Sequence, residues 1–263
     1  MSSESASAPP LTERTRRFER PGGEMETFIV HPTQGGPFAP VILYMDMWGF
    51  RWVLYDIARR IAAAGYYCIM PDLYYRDGKV RYAPHDITDR PLNFVDLEPA
   101  RQKLLREAMD GLSNAEVADD TAFLLDFMSH GEPVRPGPVG SLGYCMGGRH
   151  VLYIAGTFSD RFKATACLHG AGVITPGEDS AHLVARNADG EIYCGHAELD
   201  KYAPADVVER MDAALAGCRV RYERRVHKGA QHSYAMPDRD VYDSEATEED
   251  WQSILAMFRR QLT

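Results

Sequence analysis

The sequence predicts a single α/β domain built on a mostly parallel sheet, and three observations carry that expectation. Short β-rich apolar runs alternate with stretches of helical periodicity, the pattern of stacked βα units. The 263 residues are 45% hydrophobic and 25% charged, ordinary globular composition with enough apolar side chains for a substantial core. A Gly-x-Cys-x-Gly segment stands where one strand-like run gives way to a helical one.

Residues 1–20 are expected to be a flexible N-terminal tail, rich in Ser, Ala and Pro at its start, and 21–263 the single domain. Strands are predicted at Thr27–His31, Val41–Met45, Tyr66–Met70, Pro138–Gly143, Ala164–His169, Glu191–Gly195 and Val220–Val226. Helical spacing appears at Trp52–Ala64, closed by Gly65, and at Leu104–Met109, Val117–Met128, Met146–Thr157, Ala205–Ala216 and Trp251–Leu262. Ser113 and Glu116 have the spacing of a capping box ahead of the third of these. The Asp-, Pro- and Arg-rich stretch Tyr74–Pro99 predicts a loop over a site.

Several function classes are disfavoured. With 38 acidic against 29 basic side chains the formal charge is −9, a field that repels nucleic acid and anionic lipid surfaces. No apolar run approaches the roughly twenty residues of a membrane span, so a soluble protein is expected. The five cysteines form no C-x-x-C pair and no dense framework, which predicts free thiols and a cytoplasmic setting. Neither an H-E-x-x-H, a G-x-G-x-x-G nor a phosphate-loop motif occurs, and no metal or organic cofactor is expected.

The chemistry centres on Gly143-Tyr144-Cys145-Met146-Gly147-Gly148. A nucleophile on a sharp strand-to-helix turn needs glycine at its flanks, because a Cβ there would collide with the neighbouring strand and helix. Cys145 thereby stands at a helix N-terminus, where free amides favour thiolate and can stabilise an oxyanion. The alternative is an inert buried thiol beside a glycine turn. A nucleophile needs a base and an orienting carboxylate, in the order nucleophile, acid, histidine. Asp200, in the polar loop after Glu191–Gly195, is the preferred acid, with Glu198 as a rival and helix capping as its other role. His232, in the Gly-containing loop after Val220–Val226, is the preferred base; His227 lies close to its strand, and His169 is a candidate for lining the site.

These segments, with Asp46-Met47-Trp48-Gly49, Gly65-Tyr66, Pro71-Asp72-Leu73-Tyr74, Asp200 to Pro204 and His232-Ser233-Tyr234, resemble the dienelactone hydrolase (carboxymethylenebutenolidase) family from about Val41 onward. The resemblance implies an α/β-hydrolase fold, a mostly parallel twisted sheet with helices on both faces. It implies a Cys145–His232–Asp200 triad and an oxyanion hole from the backbone N–H groups of Met47 and Met146. It also implies a carboxylate that exchanges hydrogen bonds with the cysteine; the family's usual Glu is here Asp46, one methylene shorter, whose other role is to tie down its own turn. Where dienelactone-specific members resemble one another in an Arg four residues after the histidine, this chain has Met236, so a carboxylate-bearing lactone is disfavoured. Trp48, Tyr234 and Met236 are expected to give a more apolar substrate pocket. The expected activity is hydrolysis of a small-molecule carboxylic ester or lactone through a thioacyl-enzyme, by a monomer or small homo-oligomer. An acyltransferase and a non-hydrolytic binding or redox-sensing protein on the same fold are the alternatives.

Overall fold

The computed structural model describes residues 9–78 and 91–263. In chain order they form β1 (Leu11–Arg20), β2 (Gly23–Pro32), β3 (Pro40–Tyr44), α1 (Trp52–Ala63), β4 (Tyr67–Pro71), α2 (Pro99–Gly111), α3 (Asn114–Met128), β5 (Val139–Tyr144), α4 (Met146–Thr157), β6 (Phe162–Leu168), α5 (Ala181–Val184), β7 (Glu191–Leu199), α6 (Ala205–Leu215), β8 (Arg221–Gln231) and α7 (Ser244–Gln261). The strands make one eight-stranded sheet in the order β1-β2-β4-β3-β5-β6-β7-β8. β1, β2 and β4 pair antiparallel and all other neighbours are parallel.

β3, β4 and β5 are buried along their whole length, as expected of central strands covered by helices on both faces. α1 buries Val53, Leu54, Ile57, Ala58, Ile61 and Ala62, the one-sided spacing that the sequence predicted. The capping box is formed: Ser113 Oγ accepts from the Glu116 N–H at 3.2 Å, and the Glu116 carboxylate accepts from the Ser113 N–H at 3.0 Å.

The expected tail from 1 to 20 is corrected by β1. Leu11 to Arg20 pair along their length with β2, turning at Pro21 and Gly22. Phe18 packs on Phe123 and Phe127 of α3, with ring centroids 5.1 and 4.7 Å away, and Arg20 reaches Asp120. Its many charges suit an edge strand, since they discourage pairing with another chain. Residues 1–8, and 79–90 within the loop expected over a site, lie outside the described residues. Among the described residues no helix is long and apolar enough to cross a membrane.

The parallel registers fix where chemistry is possible. Tyr44 sits opposite Gly143, and Gly143 opposite Cys167, so the turns leaving β3, β5 and β6 emerge side by side at the carboxyl edge of the sheet. Open α/β sheets bind ligands at that edge.

Candidate active site

Cys145 occupies the single residue between β5 and α4, with φ 52° and ψ −113°. For a side chain this is a costly conformation that only a surrounding framework sustains. The framework is visible: the Cys145 N–H donates to Leu168 O at 3.1 Å, and its carbonyl accepts from the Gly148 and Ala171 N–H groups, both at 3.0 Å. A Cβ on Gly143 would stand 2.2 Å from Gly147 O, and one on Gly147 would stand 2.5 Å from Tyr44 O. Both glycines therefore let the first turn of α4 press against β5 on one side and the end of β3 on the other.

His232 comes to the sulfur from β8. Its Nε2 is 3.2 Å from Cys145 Sγ, and its Nδ1 is 2.8 Å from Asp200 Oδ2. The other Asp200 oxygen accepts from the Tyr202 and Ala203 N–H groups at 2.8 and 3.3 Å, so the carboxylate is fixed before it orients the ring. The rivals find other work. Glu198 accepts from the Gly229 N–H at 2.8 Å and shapes the histidine loop, while His227 Nε2 lies 2.8 Å from Asp250. Ser233, next to His232, and His169, at the end of β6, also have positive φ, 73° and 38°. With Cys145 they are the three non-glycine residues in that region among the described ones, and all three surround the same imidazole.

Burial opposes charge on His232, but the Cys145 sulfur and the hydrogen bond to Asp200 outweigh it and raise the imidazole to about 10. That direction favours the protonated imidazole beside the sulfur. His169, fully buried 5.1 Å from the His232 ring, is pushed far below its ordinary range by burial and by the charge on His232, and stays neutral. Cys145 is buried at 6% exposure, and the His232 side chain is 13% exposed.

Met146 is the first residue of α4, so its N–H is one of the helix's free donors. Met47 lies in the facing turn after β3. Tyr74 links the two, donating its hydroxyl to Met47 O at 3.0 Å with the same oxygen 3.4 Å from Met146 Sδ.

Four expectations about surrounding residues are resolved. Asp46 does not bond Cys145: its two oxygens accept from Arg51 at 2.7 and 2.8 Å and one also from the Trp48 N–H at 3.0 Å. The shorter acid is held by its own turn, and among the described residues the sulfur's hydrogen-bond partner is His232. Tyr234 is fully buried and donates to Asp250 at 2.5 Å, and Met236 is fully buried in the main core, so neither presents a surface to a substrate. Trp48 is buried in a separate apolar cluster with Leu92 and Leu105, flanked by Met47, Phe94 and Leu97. Sequence reasoning missed Arg51 and Asp238, which pair through two hydrogen bonds, one of 3.2 Å. It also missed Asp250, which accepts from Tyr193 and Tyr234. Their partners are distant in sequence, and no local spacing signals them. Among the described residues no group of three or more His, Cys, Asp or Glu is arranged to hold a metal ion.

Known proteins resemble this chain along most of its length. A Synechocystis sp. protein named "putative carboxymethylenebutenolidase" is 25% identical over 241 residues, 89% of this chain and 91% of the relative. Protein usf of Aquifex pyrophilus is 28% identical over 254 residues, 94% and 97% of the two chains. A Klebsiella pneumoniae crystal structure described as a "putative dienelactone hydrolase" superposes with a TM-score of 0.81 at 24% identity, covering 95% of this chain and 99% of the other. The sequence pattern of the dienelactone hydrolase family matches residues 25–262, and the chain belongs to that family of α/β-hydrolase-fold hydrolases.

Proposed function

We propose that the protein hydrolyses a small-molecule carboxylic ester or lactone with Cys145 as nucleophile, His232 as acid and base, and Asp200 as the carboxylate that orients His232. The observation that carries this reading is the continuous chain from Asp200 through His232 to Cys145, at 2.8 and 3.2 Å, on a strained elbow. The thiolate adds to the carbonyl carbon, and the N–H groups of Met47 and Met146 receive the negative oxygen. As the tetrahedral adduct collapses, the C–O bond breaks and His232 gives its Nε2 proton to the departing oxygen. Neutral His232 then takes a proton from water, the hydroxide attacks the thioester, and the thiolate leaves.

A neutral, apolar substrate is favoured by the apolar cluster of Trp48, Leu92 and Leu105 flanked by Met47. The triad is complete within one chain, which suits a monomer or small homo-oligomer. Five free cysteines fit a cytoplasmic enzyme. Rapid mixing with an activated aryl ester tests the mechanism. A stoichiometric burst of the alcohol is expected, lost after alkylation of Cys145 and in Cys145→Ala and His232→Ala. Turnover by either variant at the parent rate overturns the assignment, and transfer of the acyl group to added alcohol in preference to water would make the enzyme an acyltransferase.

A further inference from the structure

The imidazole of His232 has two aromatic neighbours that differ in one decisive respect. His169 closes its inner side and is fully buried, whereas Tyr202, with ring centroids 4.7 Å apart and planes inclined at 63°, stands on its outer side and is 53% exposed. The bond from its N–H to Asp200 Oδ1 anchors the Tyr202 main chain, and the ring itself lies against His232. Lys201 places its ammonium 5.0 Å from the same ring. Beside the group that is to protonate a departing oxygen, an open aromatic ring offers an apolar contact to that oxygen's substituent.

The geometry points to Tyr202 as the platform for the alcohol half of the substrate, selecting aromatic or flat apolar leaving groups. This rests on the hydrolase reading above and adds the side of the site on which the alcohol lies. The departing oxygen must come within hydrogen-bonding distance of Nε2 to collect its proton, about 2.6–3.2 Å. Its substituent then leaves beside an imidazole in contact with two rings, the buried His169 and the open Tyr202, of which Tyr202 alone is accessible to it. The acyl half remains on Cys145, toward the Met47 turn. Tyr202 therefore acts while the alcohol is attached, in formation of the thioacyl-enzyme, and has no substrate group to hold once the alcohol has gone.

Benzyl acetate and ethyl acetate, which share an acyl group, supply the test on the full chain. In Tyr202→Ala the ratio of kcat/KM for benzyl over ethyl acetate is expected to fall about five- to tenfold, the worth of one aromatic contact, and Tyr202→Phe should keep it within about twofold. An unchanged ratio with both esters slowed equally would overturn the proposal, because Tyr202 would then only hold the imidazole. A ratio lost in Tyr202→Phe as well would overturn it by showing that the hydroxyl, not the ring, discriminates. Cys145→Ala run beside them separates the two readings: if it hydrolyses both esters like the parent, the nucleophile assignment fails whatever the ratio does.

Discussion

Gly147→Ala tests the oxyanion hole without touching any side chain of the triad. The added Cβ would stand 2.5 Å from Tyr44 O and 2.7 Å from Met45 O, both main-chain atoms, whereas ordinary Cβ contacts begin near 3.4 Å. Relief requires the first turn of α4 to retreat from the end of β3 by about 1 Å. That movement separates Met146 from the Met47 turn, and it exceeds the roughly 0.4 Å span of useful donor distances to an oxyanion. Loss of one such donor corresponds to about 100- to 1,000-fold in kcat, and the overpacking should cost about 1–3 kcal/mol of stability. The assay pairs ester turnover with the rate of Cys145 alkylation by iodoacetamide, and adds a urea titration to confirm folding. Turnover should fall by two orders of magnitude or more while alkylation, which needs no oxyanion hole, stays within several-fold of the parent. Parent-like turnover at parent-like stability would refute the claim that this close approach sets the hole. Equal collapse of both rates would place the damage in the Cys145–His232 pair instead.

Other consequences concern the carboxylates and the imidazole. Asp200→Asn should lower kcat/KM by about 10³–10⁴ by presenting the wrong partner to Nδ1, while Glu198→Gln, whose carboxylate holds only the Gly229 N–H, should cost less than about tenfold; the reverse order in a steady-state assay would exchange their roles. His232 should titrate near 10 in the free enzyme by nitrogen NMR, and alkylation of Cys145 should move that midpoint downward, since burial already opposes the charge and the sulfur's negative charge is then gone; an unmoved midpoint would show that the sulfur does not support the imidazolium. Arg51→Met leaves Asp46 and Asp238 buried without their cation and should destabilise the fold by about 3–5 kcal/mol in urea unfolding, so a loss under about 1 kcal/mol would contradict the clamp.

The legible parts of this molecule are those whose physics is local. β3 to β7 follow apolar runs that no helix pattern competes with, and α1, α3, α4 and α6 lie within a few residues of their predicted spans, whereas α7 begins seven residues before its predicted start at Trp251. β1 escaped because LTERTRRFER carries few apolar residues, and what makes it a strand is backbone pairing to β2, which composition does not encode. The triad could be read because the elbow needs its glycines and the chain order limits the partners. The choice between Asp200 and Glu198 required geometry, since both leave the same strand end. The burial of Tyr234 was not legible for a related reason: an aromatic two residues beyond His232 can face a site or the core. The acceptor that draws it inward, Asp250, is sixteen residues further on in α7.

The fate of Asp46 links the two halves of the site. A carboxylate at this turn can serve the cysteine only if an oxygen is free, and here Arg51 occupies both while also gripping Asp238. Asp238 lies six residues beyond His232, and its carbonyl accepts from the Leu92 N–H at 2.7 Å. One guanidinium therefore joins the Met47 turn to the segment that carries the base. A fork of donors suits this task better than an ammonium, because two carboxylates must be held at fixed angles in a place that excludes water. Asp46 does not bond the sulfur and has Arg51 as its structural partner. On the proposed mechanism, activation of Cys145 then falls to His232 and the N-terminus of α4, and Arg51 acts only through the geometry of the turn that faces it.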